Sequence, residues 1–203
     1  MLEYLIPLIL TCLIVSGTPG PNNIMLIASG RNFGFVKTIP HALGIVAGVQ
    51  LLIISLSLGL IALFNEYPNI QEILKFIGSC YLVYLAYRIY TSNLSDDKNT
   101  PKPITFIESL LFQFVNPKGV MMAISIISIY SNFENFIFID SYKAGVILIL
   151  LSCLVTNLFS VISWTLIGIF LENLIKSSKA IKIFNISMSS LLVLTIGLIY
   201  LDI

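Results

Sequence analysis

From residue 144 to residue 171 the chain carries no charged side chain, a run of 28 residues dominated by Ile, Leu, Val and Phe. As an α-helix such a run is about 42 Å long, more than the about 30 Å hydrocarbon core of a bilayer. Comparable apolar stretches recur, and six candidate spans fall at about 4–30, 39–64, 73–90, 104–130, 143–171 and 181–201. Barrel strands would be short and alternating, whereas these stretches are long and apolar all round, so helices are expected. Only 10% of the residues are charged and 57% are apolar, against about 25% charged in an ordinary soluble domain. That composition excludes a soluble enzyme, a nucleic-acid binder and a disordered chain. A net charge of +1 leaves no field aimed at a charged macromolecule.

The expected fold is therefore all-α and polytopic, one transmembrane domain over residues 1–203. Six spans divide into two inverted three-helix repeats, about 1–91 and 104–203, joined by a polar cytoplasmic linker at about 92–103. No Lys or Arg precedes the first apolar stretch and no A-x-A site follows it, so that stretch is expected to remain in the mature protein. Lys and Arg set the orientation. Arg31, Lys37, Arg88, Lys98, Lys102, Lys176, Lys179 and Lys182 fall in alternate loops, with only Lys75 and Lys143 on the other side. The basic loops are expected in the cytoplasm and both termini outside.

Two spans are interrupted. The first contains Ser16-Gly17-Thr18-Pro19-Gly20-Pro21-Asn22-Asn23. Proline removes an amide donor and clashes with the preceding turn, so two half-helices are expected, with Gly20 or Thr18 capping the second and Pro21 in its first turn. The fourth contains Gln113-Phe114-Val115-Asn116-Pro117-Lys118-Gly119, where Asn116 suits an N-cap and Pro117 a first residue. The prolines of the two breaks lie 96 residues apart, close to half the chain. Unwound backbone at membrane depth is tolerated only where protein or a water-filled cavity surrounds it, and paired interruptions point to a midplane substrate site. Lys118 strengthens that reading, because a cation costs at least ~2.5–3.5 kcal/mol in hydrocarbon and normally faces a cavity or a partner.

Other residues have plainer readings. His41, the single histidine, and Glu108 are candidates for proton coupling, and each also reads as an interfacial polar group. Gln50, Gln113, Asn157 and Trp164 read as interhelical hydrogen-bonding or packing residues, and Gly44-x-x-x-Gly48 as a close-packing face. One histidine cannot supply a zinc site. A Ser–His protease built on Ser29 and His41 lacks a G-x-S-x-G elbow. Cys12, Cys80 and Cys153 lie on three different helices and read as small apolar core residues; crosslinking between two of them would revive a membrane thiol carrier. A non-transporting scaffold is a further alternative, but it has no need of two broken helices.

Pro19-Gly20-Pro21-Asn22-Asn23, the Phe112 to Lys118 segment, Gly44 and Gly48, and Trp164 with Gly168 resemble the LysE/RhtB amino-acid exporter family over essentially the whole chain. The resemblance implies efflux of a neutral amino acid or derivative of the cysteine, O-acetylserine, threonine or homoserine class across the bacterial cytoplasmic membrane. It also implies a secondary transporter driven by the proton motive force. Many members of the family carry an acidic or amide residue after the second glycine of helix two. Here Val49 stands there, with Gln50 next, so a role at that position does not transfer.

The substrate-binding residues expected are Pro19, Gly20, Pro21, Asn22, Asn23, Gln113, Asn116, Pro117, Lys118 and Trp164. A substrate carboxylate would meet the half-helix N-terminus at Asn116 to Lys118, and its ammonium the carbonyls near Pro19 and Gly20. No Asp or Glu lies deep in the spans to receive a cationic side chain. The partners expected are an amino-acid substrate, a proton and the lipid bilayer, with no nucleic acid, cofactor or metal; a homo-oligomer is left open.

Overall fold

The structure, a computed structural model, describes residues 2–92, 102–133 and 140–200. Eight α-helices are seen among them: α1 Leu2–Gly17, α2 Pro21–Ser55, α3 Ile61–Glu66, α4 Pro68–Tyr90, α5 Phe106–Val115, α6 Pro117–Tyr130, α7 Ser141–Leu174 and α8 Ser178–Tyr200. A π-helical turn, Leu56–Leu60, links α2 to α3. Proline opens α2, α4 and α6, where its missing N–H breaks no intrahelical bond. A capping box starts α5: the Glu108 amide donates to Thr105 Oγ1 at 3.2 Å, and the Thr105 amide to Glu108 Oε2 at 2.7 Å. Asp140 Oδ1 accepts from the Lys143 amide to start α7.

The six-span, two-repeat arrangement expected from the sequence is not what the fold shows. Among the described residues three helical stretches are long and apolar enough to cross a membrane: Pro21–Glu66, Ser141–Leu174 and Ser178–Leu198. A fourth span results if α5 and α6, bent by 65° at Asn116, count as one. Two physical causes explain the difference. The break at residues 18–20 leaves α1 only 16 residues, and α2 is not one rod, because Gly34 (φ 75°) bends it so that Ser29 Oγ and Thr38 Oγ1 meet at 3.0 Å. In α4, meanwhile, Asn69, Gln71, Glu72 and Lys75 and the tyrosines at 81, 84, 87 and 90 dilute the apolar run. The protein is a multi-pass membrane protein. The expected linker lies mostly outside the described residues.

The core is built on α2 and α7. Gly30 of α2 lies against the Thr165 carbonyl, and Gly168 of α7 against the Ile27 carbonyl, so the two backbones touch where any side chain would hold them apart. Gly44 and Gly48 let α2 meet α5 in the same way, at Phe106 and Leu110. Around these contacts Leu26, Ile45, Val49, Ile53, Ala123, Ile149 and Val161 are buried. Exposed apolar side chains cover α7 and α8, including Val155, Phe159, Phe170 and Leu194, as a lipid-facing surface requires.

Candidate functional site

The two breaks meet. Between α1 and α2 the chain leaves helical form at residues 18–20, and the freed carbonyls have specific donors. Asn23 Nδ2 donates to Ser16 O at 3.0 Å and to Thr18 O at 2.8 Å. Ser160 Oγ of α7 donates to the same Ser16 carbonyl at 2.8 Å. The Lys118 ammonium, in the first turn of α6, donates to Thr18 O at 2.8 Å, Thr18 Oγ1 at 2.9 Å and Pro19 O at 3.3 Å. Its stem lies over Gly20, where an added Cβ would sit 2.8 Å from Lys118 Cδ. A second link joins the breaks: Asn22 Nδ2 donates to Gln113 Oε1 at 2.8 Å, and Gln113 Nε2 returns a bond to Asn22 Oδ1 at 3.2 Å. Gln113 is fully buried and also donates to Ser109 O.

Asn116 occupies the N-cap position of α6 with extended backbone, but its side chain makes no capping bond. Its Oδ1 is buried without a donor. The expected capping role is therefore filled by backbone shape alone, and a polar acceptor is left over beside Lys118.

Two cavities flank this junction. A small one of about 40 Å3 lies inward, lined by Ser16, Asn22, Asn23, Gln113, Asn157 and Ser160 among others. It holds little more than one water. A large one of about 710 Å3 is lined by Pro19, Gln71, Lys75, Pro117, Thr195 and Leu198 among others, within the range of ligand pockets. Gly20, Pro21, Asn116 and Lys118 line both. The pair of breaks, bridged by Lys118, lines both cavities. Among the described residues neither cavity is lined by an Asp or Glu.

The sequence pattern of LysE type translocators matches residues 13–201. The chain belongs to the LysE type translocator family. It is 35% identical over 121 residues to the cysteine/O-acetylserine efflux protein of Salmonella typhi, an alignment covering 58% of this chain and 60% of that protein. It is 34% identical over the same length to the protein of that description in Escherichia coli (strain K12), with the same coverage. The chain thus spans about 60% of the length of these curated relatives. No solved structure matches it. The family is a class of membrane translocators, and the chain is similar in sequence to efflux proteins for cysteine and O-acetylserine.

Nine of the ten residues expected to bind substrate line one or both cavities of the translocator: Pro19, Gly20, Pro21, Asn22, Asn23, Gln113, Asn116, Pro117 and Lys118. Trp164 packs against the apolar core and lines neither. His41 is fully buried on α2, with neither ring nitrogen hydrogen-bonded, and lines neither cavity. Glu108 pairs with Arg88 at 3.0 Å rather than with Lys102 or Lys118, and caps α5. Sequence reasoning missed Ser160 and Lys75. Ser160 lies one turn beyond Asn157 on α7, and Lys75 is a cation within the apolar run of α4, a signal in itself. Of the three cysteines expected in the core, Cys12 and Cys153 are buried there and bring their sulfurs to 3.3 Å across two helices, whereas Cys80 is exposed.

Proposed function

We propose that this translocator exports a neutral, zwitterionic amino acid or derivative of the cysteine, O-acetylserine, threonine or homoserine class from the bacterial cytoplasm, by alternating access driven by the proton motive force. The observation that carries the reading is the Lys118 ammonium seated on the Thr18 and Pro19 carbonyls between two cavities. An α-ammonium group has the same charge and the same three donors as Lys118. A substrate ammonium therefore replaces Lys118 on those carbonyls and releases it, with the donorless Asn116 Oδ1 as a further acceptor. The freed Lys118 meets the substrate carboxylate, joined by the amides at the α6 N-terminus. The exchange conserves charge in the site only if the rest of the substrate is neutral. A lysine or arginine side chain would meet the Lys118 ammonium, Lys75 is already paired with Glu72 at 3.4 Å, and among the described residues no carboxylate lines either cavity.

Orientation follows from the basic end. Arg88 donates to the Lys102 carbonyl, Asn32 and Asn185 both donate to Ser92 Oγ, and Arg31 reaches the Ile175 carbonyl, so residues near the three basic loops gather at one end. That end faces the cytoplasm by the positive-inside rule, with both termini outside. Gln71 and Lys75, early in α4, and Thr195 and Leu198, late in α8, place the large cavity away from the basic end. This arrangement is outward-open and closed toward the cytoplasm. His41 remains the buried titratable candidate for the proton, beside the substrate itself.

Counterflow in proteoliposomes tests the reading. Vesicles loaded with unlabelled cysteine, O-acetylserine, threonine or homoserine are expected to accumulate the labelled compound, and vesicles loaded with lysine or arginine to accumulate much less of theirs. Faster exchange of a cationic amino acid overturns the charge argument, and no exchange with any compound favours the scaffold.

A further inference from the structure

Cys12 on α1 and Cys153 on α7 are 2% and 1% exposed, and their sulfurs are 3.3 Å apart. Nothing in the transport site uses them. Each lies one helical turn from a residue that lines the small cavity, Cys12 from Ser16 and Cys153 from Asn157. On the cavity side the same two helices are linked by Ser160 Oγ donating to Ser16 O at 2.8 Å. Two thiols in contact across a helix pair need only close from 3.3 Å to about 2.0 Å to become a disulfide.

We propose that Cys12 and Cys153 form a reversible disulfide that staples α1 to α7 and halts export. The oxidant is a small peroxide. One thiol, as its thiolate, attacks a peroxide oxygen; the O–O bond breaks, and a sulfenic acid and one water result. The second sulfur attacks the sulfenic sulfur, the S–O bond breaks, and a second water leaves. The two thiols together lose two hydrogens and two electrons, and hydrogen peroxide becomes two waters. Hydrogen peroxide is small and uncharged, so burial does not bar it. In the orientation argued above the pair lies on the outer side of the small cavity, nearest the oxidising side of the membrane. The staple ties the unwound break of α1 to α7, so the carbonyls of Thr18 and Pro19 lose the freedom that alternation requires. This second step rests on the proposed function; the disulfide does not.

The test uses the full chain with Cys80→Ser, which removes the one exposed cysteine. After peroxide treatment in membranes, intact mass spectrometry of the denatured protein is expected to show the loss of two hydrogens and no free thiol. Dithiothreitol should restore both thiols. Cys12→Ser and Cys153→Ser, each in the same background, should keep one free thiol and no internal crosslink. Counterflow by the oxidised protein should fall to background and return with dithiothreitol, while the two single-cysteine proteins should be indifferent to peroxide. A chain that keeps both thiols, or gains oxygen on them instead of losing hydrogen, overturns the pair. Disulfide formation with unchanged counterflow overturns the staple, and a reduced protein that transports nothing overturns the proposed function instead.

Discussion

Lys118 and Gln113 illustrate how far single residues announce themselves. A lysine after Asn-Pro inside an apolar run is legible because its cost in hydrocarbon demands a partner. The identity of that partner was not legible, since Thr18 lies 100 residues away and the bond depends on where two chain breaks meet. The Asn22–Gln113 pair was hidden for the same reason: both amides were visible, their reciprocity was not. It yields a prediction. Gln113→Leu strands a half-buried amide at Asn22 and should cost about 0.5–1.5 kcal/mol. Adding Asn22→Leu removes the stranded group, so thermal stability of the purified double variant should exceed that of Gln113→Leu alone. Additive losses would mean the two amides do not share their bonds. Gly20→Ala should weaken export while preserving membrane abundance, because its Cβ lands on the Lys118 stem; uptake counted per inserted protein measures this.

At the scale of elements, the breaks were legible and the span count was not. Pro21 and Pro117 mark helix starts in any context, and both stand at the first position of a helix here. The turn expected between the first two spans is a tight bend rather than an extended loop: residues on either side of Gly34 are helical, and its φ of 75° folds the chain so that the Ser29 and Thr38 hydroxyls meet at 3.0 Å. The glycine contacts of α2 and α7 give a second test. Gly168→Ala pushes a methyl into the Ile27 carbonyl, and overpacking of this kind costs about 1–3 kcal/mol. Gly17→Ala meets nothing within 4 Å. Detergent-solubilised Gly168→Ala should melt at lower temperature than the unmodified protein, and Gly17→Ala should not; equal melting temperatures would contradict the packing described.

For the whole molecule, the family and the transporter class were readable from motifs spread along the chain, whereas the closed junction between two cavities came only from three-dimensional contacts. Orientation makes a prediction at this scale. In a cysteine-less background, a single cysteine at Lys179 should react with membrane-impermeant maleimide only in inverted vesicles, and one at Glu66 only in right-side-out cells; the reverse pattern would overturn the outward-open assignment. The central claim is that Lys118 closes a substrate site by holding carbonyls the substrate itself will take. The most direct test is the concentration dependence of cysteine counterflow at matched reconstituted protein for the unmodified chain, Lys118→Arg and Lys118→Gln. The account predicts that Lys118→Gln loses apparent affinity with little loss of inserted protein, and that Lys118→Arg falls between, since it keeps the charge but not the shape. Indistinguishable curves for all three proteins would contradict it.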